Sequence, residues 1–168
     1  LIGIFTDYGA SYTMGKVLEE HCAKAADSAA ITTSEWSVQK FMKKEPPLIS
    51  AKEKIRTAMQ CMAVQSHLYL LVEDEKQQLR GIISYRQLMR HSETLEGKPV
   101  SLLEEIMTPE PITVSPKMPV LDAIALMHEK HIGCLPVIEN TAIVGMLTEY
   151  DLMQIAHYCF TLGSDSTE

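Results

Sequence analysis

The sequence predicts an α/β protein of the mixed, α+β kind, built from two copies of one β-α-β-β-α unit that pack sheet to sheet as a single pseudo-symmetric module. Two observations carry this. The first is that the chain repeats itself. A shift of 65 residues lays Val38, Phe41 and Met42 on Leu103, Ile106 and Met107, Pro46 on Pro111 and Ser50 on Ser115. The same shift lays Ile55 on Val120, Ala58 on Ala123, Met62 on Met127 and Val72 on Val137. After a one-residue gap, a shift of 64 lays Gly81 on Gly145, Ser84 on Thr148, Gln87 on Asp151 and Leu88 on Leu152. Self-similarity over such a length marks a duplicated unit. The second observation is the stretch from Ile132 to Leu152. Apolar runs Cys134 to Ile138 and Ala142 to Leu147 flank a polar Glu139-Asn140 turn, the pattern of a β-hairpin, and a helix follows at once. Each three-stranded sheet has an apolar face too small to stand alone, and burying one against the other is the natural solution.

In chain order, residues 1–36 form an N-terminal extension. Gly3 to Tyr8 echoes Gly145 to Tyr150, with Gly9 where Asp151 would stand. That is either the tail of a third, truncated copy, making the chain a fragment of something longer, or a chance likeness. Residues 14–26 are rich in helix formers, with Val17, Leu18 and Cys22 at helical spacing, and residues 27–34 read as a linker. Thr33 or Ser34 caps a short helix carrying Trp36, Val38, Phe41 and Met42.

The first repeat spans 37–90. Pro46-Pro47 forces an extended entry to the short strand Leu48-Ile49. Residues 52–65 place Ile55, Ala58 and Met62 on one helical face with Lys and Arg opposite. Leu68 to Val72 has the continuous apolar character of a covered strand. A turn over Glu73 to Gln78, a strand from Leu79 to Ser84 and a helix from Tyr85 complete the copy. Residues 91–100, with Gly97 and Pro99, are the connection. The second repeat, 101–160, follows the same plan: a helical turn from Leu102 to Met107, a strand at Ile112 to Val114, a helix opened by Pro119, where a missing N–H costs nothing, then the hairpin and last helix. Residues 161–168 are polar and expected to be disordered.

Composition bounds the function. The net charge of −7 speaks against nucleic acid as a partner. No run of about 18 apolar residues is present to insert into a membrane, and no leader with a cleavage site is evident, so a cytoplasmic location is expected. Cys22, Cys61, Cys134 and Cys159 show no C-x-x-C spacing and read as free thiols. Charge is divided unevenly: residues 37–90 hold ten Lys or Arg against five acids, a net +5, and residues 101–160 two against eight, a net −6.

Thr148 and Asp151 carry the chemistry. A Thr followed three residues later by an acid is a capping box, and the same pair stands where a hydroxyl-rich or anionic ligand meets a helix start. Both readings stay open on the residues alone. His128 and His131 lack a third ligand and are read as solvent-facing or packing, so no metal is expected. Met59, Met62, Met127 and Met153 have helical spacing and are read as core. With no nucleophile–base pair, no H-E-x-x-H and no phosphate loop, an enzyme is not expected.

Three motifs give the chain a family likeness: P-x-x-V-S-P over Pro111 to Pro116, C-L-P-V over Cys134 to Val137, and G-M-L-T-E-Y-D over Gly145 to Asp151. Together with the repeat they resemble the cystathionine-β-synthase (CBS) domain, a tandem pair of which is called a Bateman module. The resemblance covers roughly residues 37–158 and is stronger in the second copy. It implies a regulatory module that senses an adenosine-containing ligand, an adenine nucleotide (AMP, ADP or ATP) or S-adenosylmethionine, in the cleft between the sheets, with no obligatory cofactor. Asp151 would take the ribose hydroxyls and Thr148 the ribose or phosphate. Ile112, Thr113, Ile132, Cys134 and Pro136 would form the base side. The first copy departs from the motif, with Ser84 but Gln87 in place of the acid, so Leu48, Ser84, Arg86 and Gln87 imply a weaker second pocket. A homodimer is expected, its oppositely charged copies pairing head to tail, together with a regulated protein of unknown identity. The competing expectation is a dimerisation or interaction module whose pockets are vestigial.

Overall fold

The computed structural model describes residues 36–92 and 102–155. The expectations for the extension before Trp36, for residues 93–101, for the tail and for Cys22 and Cys159 lie outside them. Within them the elements run α1 (Val38–Phe41), β1 (Leu48–Ser50), α2 (Ile55–Gln65), β2 (Tyr69–Glu73), β3 (Leu79–Ser84) and α3 (Tyr85–Ser92). A 3₁₀ turn (Leu103–Glu105), β4 (Thr108–Pro109), α4 (Val120–Lys130), β5 (Cys134–Glu139) and β6 (Ala142–Thr148) follow, and the last helix, α5, begins at residue 149. The predicted strand, helix, strand, strand, helix order holds twice, with Val114 standing for the first strand of the second round.

By their contacts the residues fall into two compact units, one made of Lys44–Thr113 with Ile138–Gly145, the other including the segment up to Lys43, Val114–Val137 and the chain from Met146. In the first unit the strand order is β1-β2-β3-β4. Strand β1 runs parallel to β2 with Ile49 opposite Val72, and β2 runs antiparallel to β3 with Leu71 opposite Ile82. Helix α2 buries Ile55, Ala58 and Met62 along one stripe, as the 3.6-residue period requires. They join Ile49, Leu70, Val72, Ile83, Leu88 and Leu103 in one core.

Leu103 is the instructive member, because it belongs to the second sequence repeat. Its N–H donates to Glu53 O (2.9 Å), the Glu104 N–H donates to Ala51 O (3.1 Å), and Thr108 pairs with Ile82. The other unit shows the same bonds one repeat away. Val38 N–H donates to Met118 O (2.9 Å), Gln39 N–H to Pro116 O (3.0 Å), and Lys43 exchanges two bonds with Met146 (2.8 and 3.0 Å). The leading segment of each repeat therefore completes the compact unit that holds the other repeat's helix. Trp36 and Val38 are buried in that role, and α1 packs on α4. The sequence boundaries 37–90 and 101–160 delimit repeats, whereas packing groups the residues by this exchange.

The exchange explains Gly81. A Cβ there would lie 2.5 Å from Met107 Sδ and 2.9 Å from the Thr108 carbonyl oxygen, so the close approach of β4 leaves no room for a side chain. It also makes the first sheet four-stranded where three strands were expected. In the second copy the first strand shrinks to a single parallel bridge between Val114 and Val137. The cause is covalent. Leu71 N–H donates to Pro47 O (3.0 Å) in the first copy, and its counterpart, Pro136, has no N–H to donate.

Four local expectations need correction. Helix α1 starts at Val38 with Ser37 at its N-cap, and Trp36 precedes it instead of riding on it, while Thr33 and Ser34 lie outside the described residues. Pro119 is the N-cap residue of α4, in an extended conformation, rather than its first helical residue. Met153 is 58% exposed and is not core, unlike Met62 and Met127. The hairpin turn lies one residue later than expected, at Asn140-Thr141, and both residues have positive φ (48° and 75°). A two-residue hairpin loop with two positive φ values suits Asn-Gly, and a β-branched residue in the second place is strained.

Replacing Thr141 by Gly should therefore raise the unfolding free energy by about 1 kcal/mol, the scale of the left-handed penalty for a side chain. A urea melt of the two proteins measures it. The exchange makes a second expectation: residues 101–160 expressed alone lack the Trp36–Lys43 segment and should melt without cooperativity by circular dichroism, in contrast to the whole chain.

Candidate functional site

The site is built where β6 hands over to α5. At this point the strand ladder ends and the first helical amides have no partner within the helix. Glu149 N–H is taken by the Gly133 carbonyl (3.0 Å). Thr148 N–H donates to Asp151 Oδ2 (2.7 Å), and the Thr148 hydroxyl donates to the same oxygen (2.6 Å). The acid of the capping box thus reaches back to the cap residue as the sequence predicts. Thr148 is buried and Asp151 half-buried. Both bonds fall on Oδ2, and Oδ1 accepts no hydrogen bond from any described residue. An ionised carboxylate has about four acceptor positions, so Asp151 keeps half its capacity.

The first copy uses the same geometry to a different end. Gln87 Oε1 accepts from Ser84 N–H (2.8 Å) and from the Ser84 hydroxyl (3.0 Å), and Gln87 N–H donates back to Ser84 Oγ (3.2 Å). The other end of the amide, Nε2, donates to Thr108 Oγ1 (2.9 Å). Where Asp151 holds an oxygen in reserve, both ends of the Gln87 amide are engaged. Sequence reasoning saw the lost charge at Gln87 but missed Thr108, which sits in the other repeat's leading segment. The only signal was the 65-residue register, which puts Thr108 in the place of Lys43.

The remaining expected site residues are placed as follows. Ile132, half-buried, closes helix α4 by donating its N–H to Met127 O (3.0 Å). Cys134 opens β5 and is buried. Desolvation, with smaller contributions from the carboxylates of Asp151 and Glu149, pushes its thiol far above the ordinary range, so it stays a neutral, buried group. Pro136 is buried and its carbonyl accepts the Val114 N–H (3.0 Å). Ile112 and Thr113, the two residues before Val114, are exposed and group with the other compact unit. Leu48 and Arg86 are exposed, Leu48 on β1 and Arg86 on α3. His128 and His131 have ring centroids 6.4 Å apart, and no group of three metal-binding side chains occurs among the described residues.

A β-α-β-β-α unit repeated with a Ser/Thr-x-x-Asp/Gln box at each helix start defines a class, and comparison with known proteins gives that class its name. The model of the CBS domain matches residues 38–94 and 103–158. The chain belongs to the CBS domain family and carries two such domains in tandem. It is 27% identical over 129 residues to a CBS domain-containing protein of Dictyostelium discoideum, covering 70% of this chain and 89% of that protein. It is 26% identical over 113 residues to an uncharacterized 33.4 kDa protein of Thermofilum pendens, covering 67% of this chain and 37% of that protein. The chain thus spans well under half the length of that second relative.

Among solved structures, a Vibrio cholerae protein assigned to acetoin utilization aligns with a TM-score of 0.71 at 25% identity, over 76% of this chain and 96% of that one. CBSX2, of Arabidopsis thaliana, solved in complex with AMP, aligns with a TM-score of 0.66 at 21% identity, over 73% of this chain and 97% of that one. The CBS domain pair of protein MJ0100, solved with 5′-methylthioadenosine and S-adenosyl-L-methionine, gives 0.65 at 24%, over 73% and 96%. The last two likenesses are of fold. No helix among the described residues is long and apolar enough to cross a membrane.

Gln87→Ala should lower the stability of the ligand-free protein by about 1–2 kcal/mol, the usual cost of losing a helix-cap side chain. Urea unfolding without any nucleotide is the measurement, and an unchanged midpoint would show the Thr108 latch to be idle.

Proposed function

We propose that the chain is a regulatory sensing module that binds one adenosine-containing molecule at the second repeat and passes the resulting conformational change to an attached or partner protein. The observation that carries this is the Oδ1 of Asp151, which accepts no hydrogen bond from any described residue. A carboxylate held rigid through one oxygen accepts the two neighbouring hydroxyls of a ribose through the other, and such charge-assisted bonds are roughly twice as strong as neutral ones. Thr148, buried beside it, fixes the acid's orientation. The buried Cys134 and Pro136 and the half-buried Ile132 offer apolar surface of the kind that receives a flat base. The AMP bound by CBSX2 and the adenosyl compounds bound by MJ0100 belong to this ligand class. The first repeat, its Gln87 amide engaged at both ends, stays empty. The module works by binding and not by turnover.

Homodimerisation belongs to the same proposal. Val64 on α2 is 84% exposed, and Tyr85 and Met89 on the neighbouring α3 are also exposed, an apolar helical surface that a second copy would cover. The opposite charges of the two repeats favour a head-to-tail pairing, since complementary fields fix register more than they add affinity.

Calorimetric titration with AMP, ADP, ATP and S-adenosylmethionine should give a stoichiometry of one per chain for the ligand that binds. Asp151→Ala should weaken it by about 1.5–3 kcal/mol, the scale of a hydrogen bond to a charged group, with Gln87→Ala near neutral. Two sites per chain, or equal losses from both variants, would overturn the single-site reading.

A further inference from the structure

We infer that Tyr69 closes the first repeat to ligand, its ring taking up beside Ser84 the space that the much smaller Cys134 leaves beside Thr148. The inference rests on the sensing reading above and goes beyond it, because the Gln87 amide alone would weaken a site without filling it. Tyr69 stands directly opposite Ser84 across the β2–β3 pair. The Tyr85 N–H donates to Leu68 O (2.8 Å) on the adjoining pair. Hydrogen-bonded and non-hydrogen-bonded pairs alternate, so Tyr69 and Ser84 form a non-hydrogen-bonded pair, the kind that brings side chains closest. Both lie on one face, and the Ser84 hydroxyl is 3.0 Å from Gln87 Oε1.

The second copy repeats this frame with a different side chain in it. Glu149 N–H donates to Gly133 O (3.0 Å) as Tyr85 N–H does to Leu68 O, so Cys134 stands to Thr148 as Tyr69 stands to Ser84. The carboxylate of Asp151 acts on the Cys134 thiol through space, as that position requires. In the first copy Leu70 and Val72 join Ile55, Ala58 and Met62 of α2 in the core. Tyr69 and Leu71 alternate with them and therefore look to the opposite side of the sheet. Their counterparts are Cys134 and Pro136, the two residues assigned above to the base side of the second repeat.

Size separates the two copies. A cysteine side chain ends at Sγ, whereas a tyrosine continues through a flat six-membered ring to a hydroxyl. Tyr69 is half-buried, so part of that ring is already packed against the protein. Its shape is that of the six-membered half of a purine, and it starts from the strand position against which a base in this copy would have to rest. Protein interiors are too closely packed to hold two rings in one such place. Gln87 and Tyr69 thus act on different parts of the same site. The amide withholds the free carboxylate oxygen that a ribose would use, and the ring excludes the base. Restoring the acid by itself leaves the ring where it is.

The test is a calorimetric titration of the whole chain with AMP and with S-adenosylmethionine. It compares the unaltered protein with Gln87→Asp, with Tyr69→Cys combined with Gln87→Asp, and with Cys134→Tyr. Circular-dichroism melts without ligand check that each protein is folded. The unaltered protein and Gln87→Asp should take up one equivalent per chain of the compound that binds, and the double variant two. Cys134→Tyr should weaken binding at least about tenfold, the scale of forcing a ring into filled space. A second equivalent in Gln87→Asp alone, a single equivalent in the folded double variant, or full affinity in Cys134→Tyr overturns the inference and leaves the sensing module standing. Because Cys134 is buried, its variant has the first-repeat pair as a check: should either fail to melt cooperatively, the other decides. Failure of the unaltered protein to bind either compound overturns the sensing reading and this inference with it.

Discussion

The exchange of leading segments is the constraint on which the rest of this structure depends. A short segment of each repeat leaves its own sequence neighbours and bonds, backbone to backbone, against the residues before the other repeat's helix. Val38 and Leu103 are both fully buried by it, and the bonds recur one repeat apart, Val38 to Met118 matching Leu103 to Glu53. Backbone amides have to be satisfied wherever water is excluded. These two segments are too short to form a sheet or bundle themselves, and they find their partners only there. Strand β4 is anchored by this bonding, which is why Gly81 has no space for a side chain.

The same constraint decides the chemistry beside each helix start. In both copies a Ser or Thr at a strand end meets a carbonyl or carboxylate oxygen three residues on, and the two boxes share nearly the same bonds. What differs is the residue that the exchanged segment brings alongside. Thr108 gives the first copy a hydrogen-bond acceptor that occupies the Gln87 amide. Lys43 stands in the corresponding place of the second, opposite Met146. The asymmetry between the copies therefore arises from pairs of residues contributed by different repeats, with Gln87 against Asp151 as one half and Thr108 against Lys43 as the other.

Family membership fits this division. Proteins of similar fold at about one quarter identity or less, such as CBSX2 with AMP and MJ0100 with adenosyl ligands, differ in what was found bound to them. A fold that fixes a Ser/Thr and an acid at a helix start while leaving the neighbouring positions to vary keeps one local frame while its surroundings change. Around that frame stand here a buried neutral cysteine and a proline that ends a ladder.

The sequence by itself determined the repeat, the order of elements in each copy, the helical stripe of Ile55, Ala58 and Met62, and the capping box of Thr148 and Asp151. All of these are set by contacts within a few residues or by the period of apolar side chains, which a single chain displays openly. It also showed that Gln87 breaks the motif. Only the tertiary structure decided that Leu103 and Val38 serve the opposite repeat, that Met153 faces solvent, that the turn falls at Asn140-Thr141, and that Gln87 is latched to Thr108. The turn is set by the local register of the hairpin; the others depend on which backbone groups meet across more than twenty residues of chain or on which side of a helix a neighbour covers, and neither leaves a periodic trace. The proline at 136 stands between the two. Its missing N–H is plain in the sequence, but the bond it fails to make becomes visible only once Leu71 is seen making the corresponding one to Pro47.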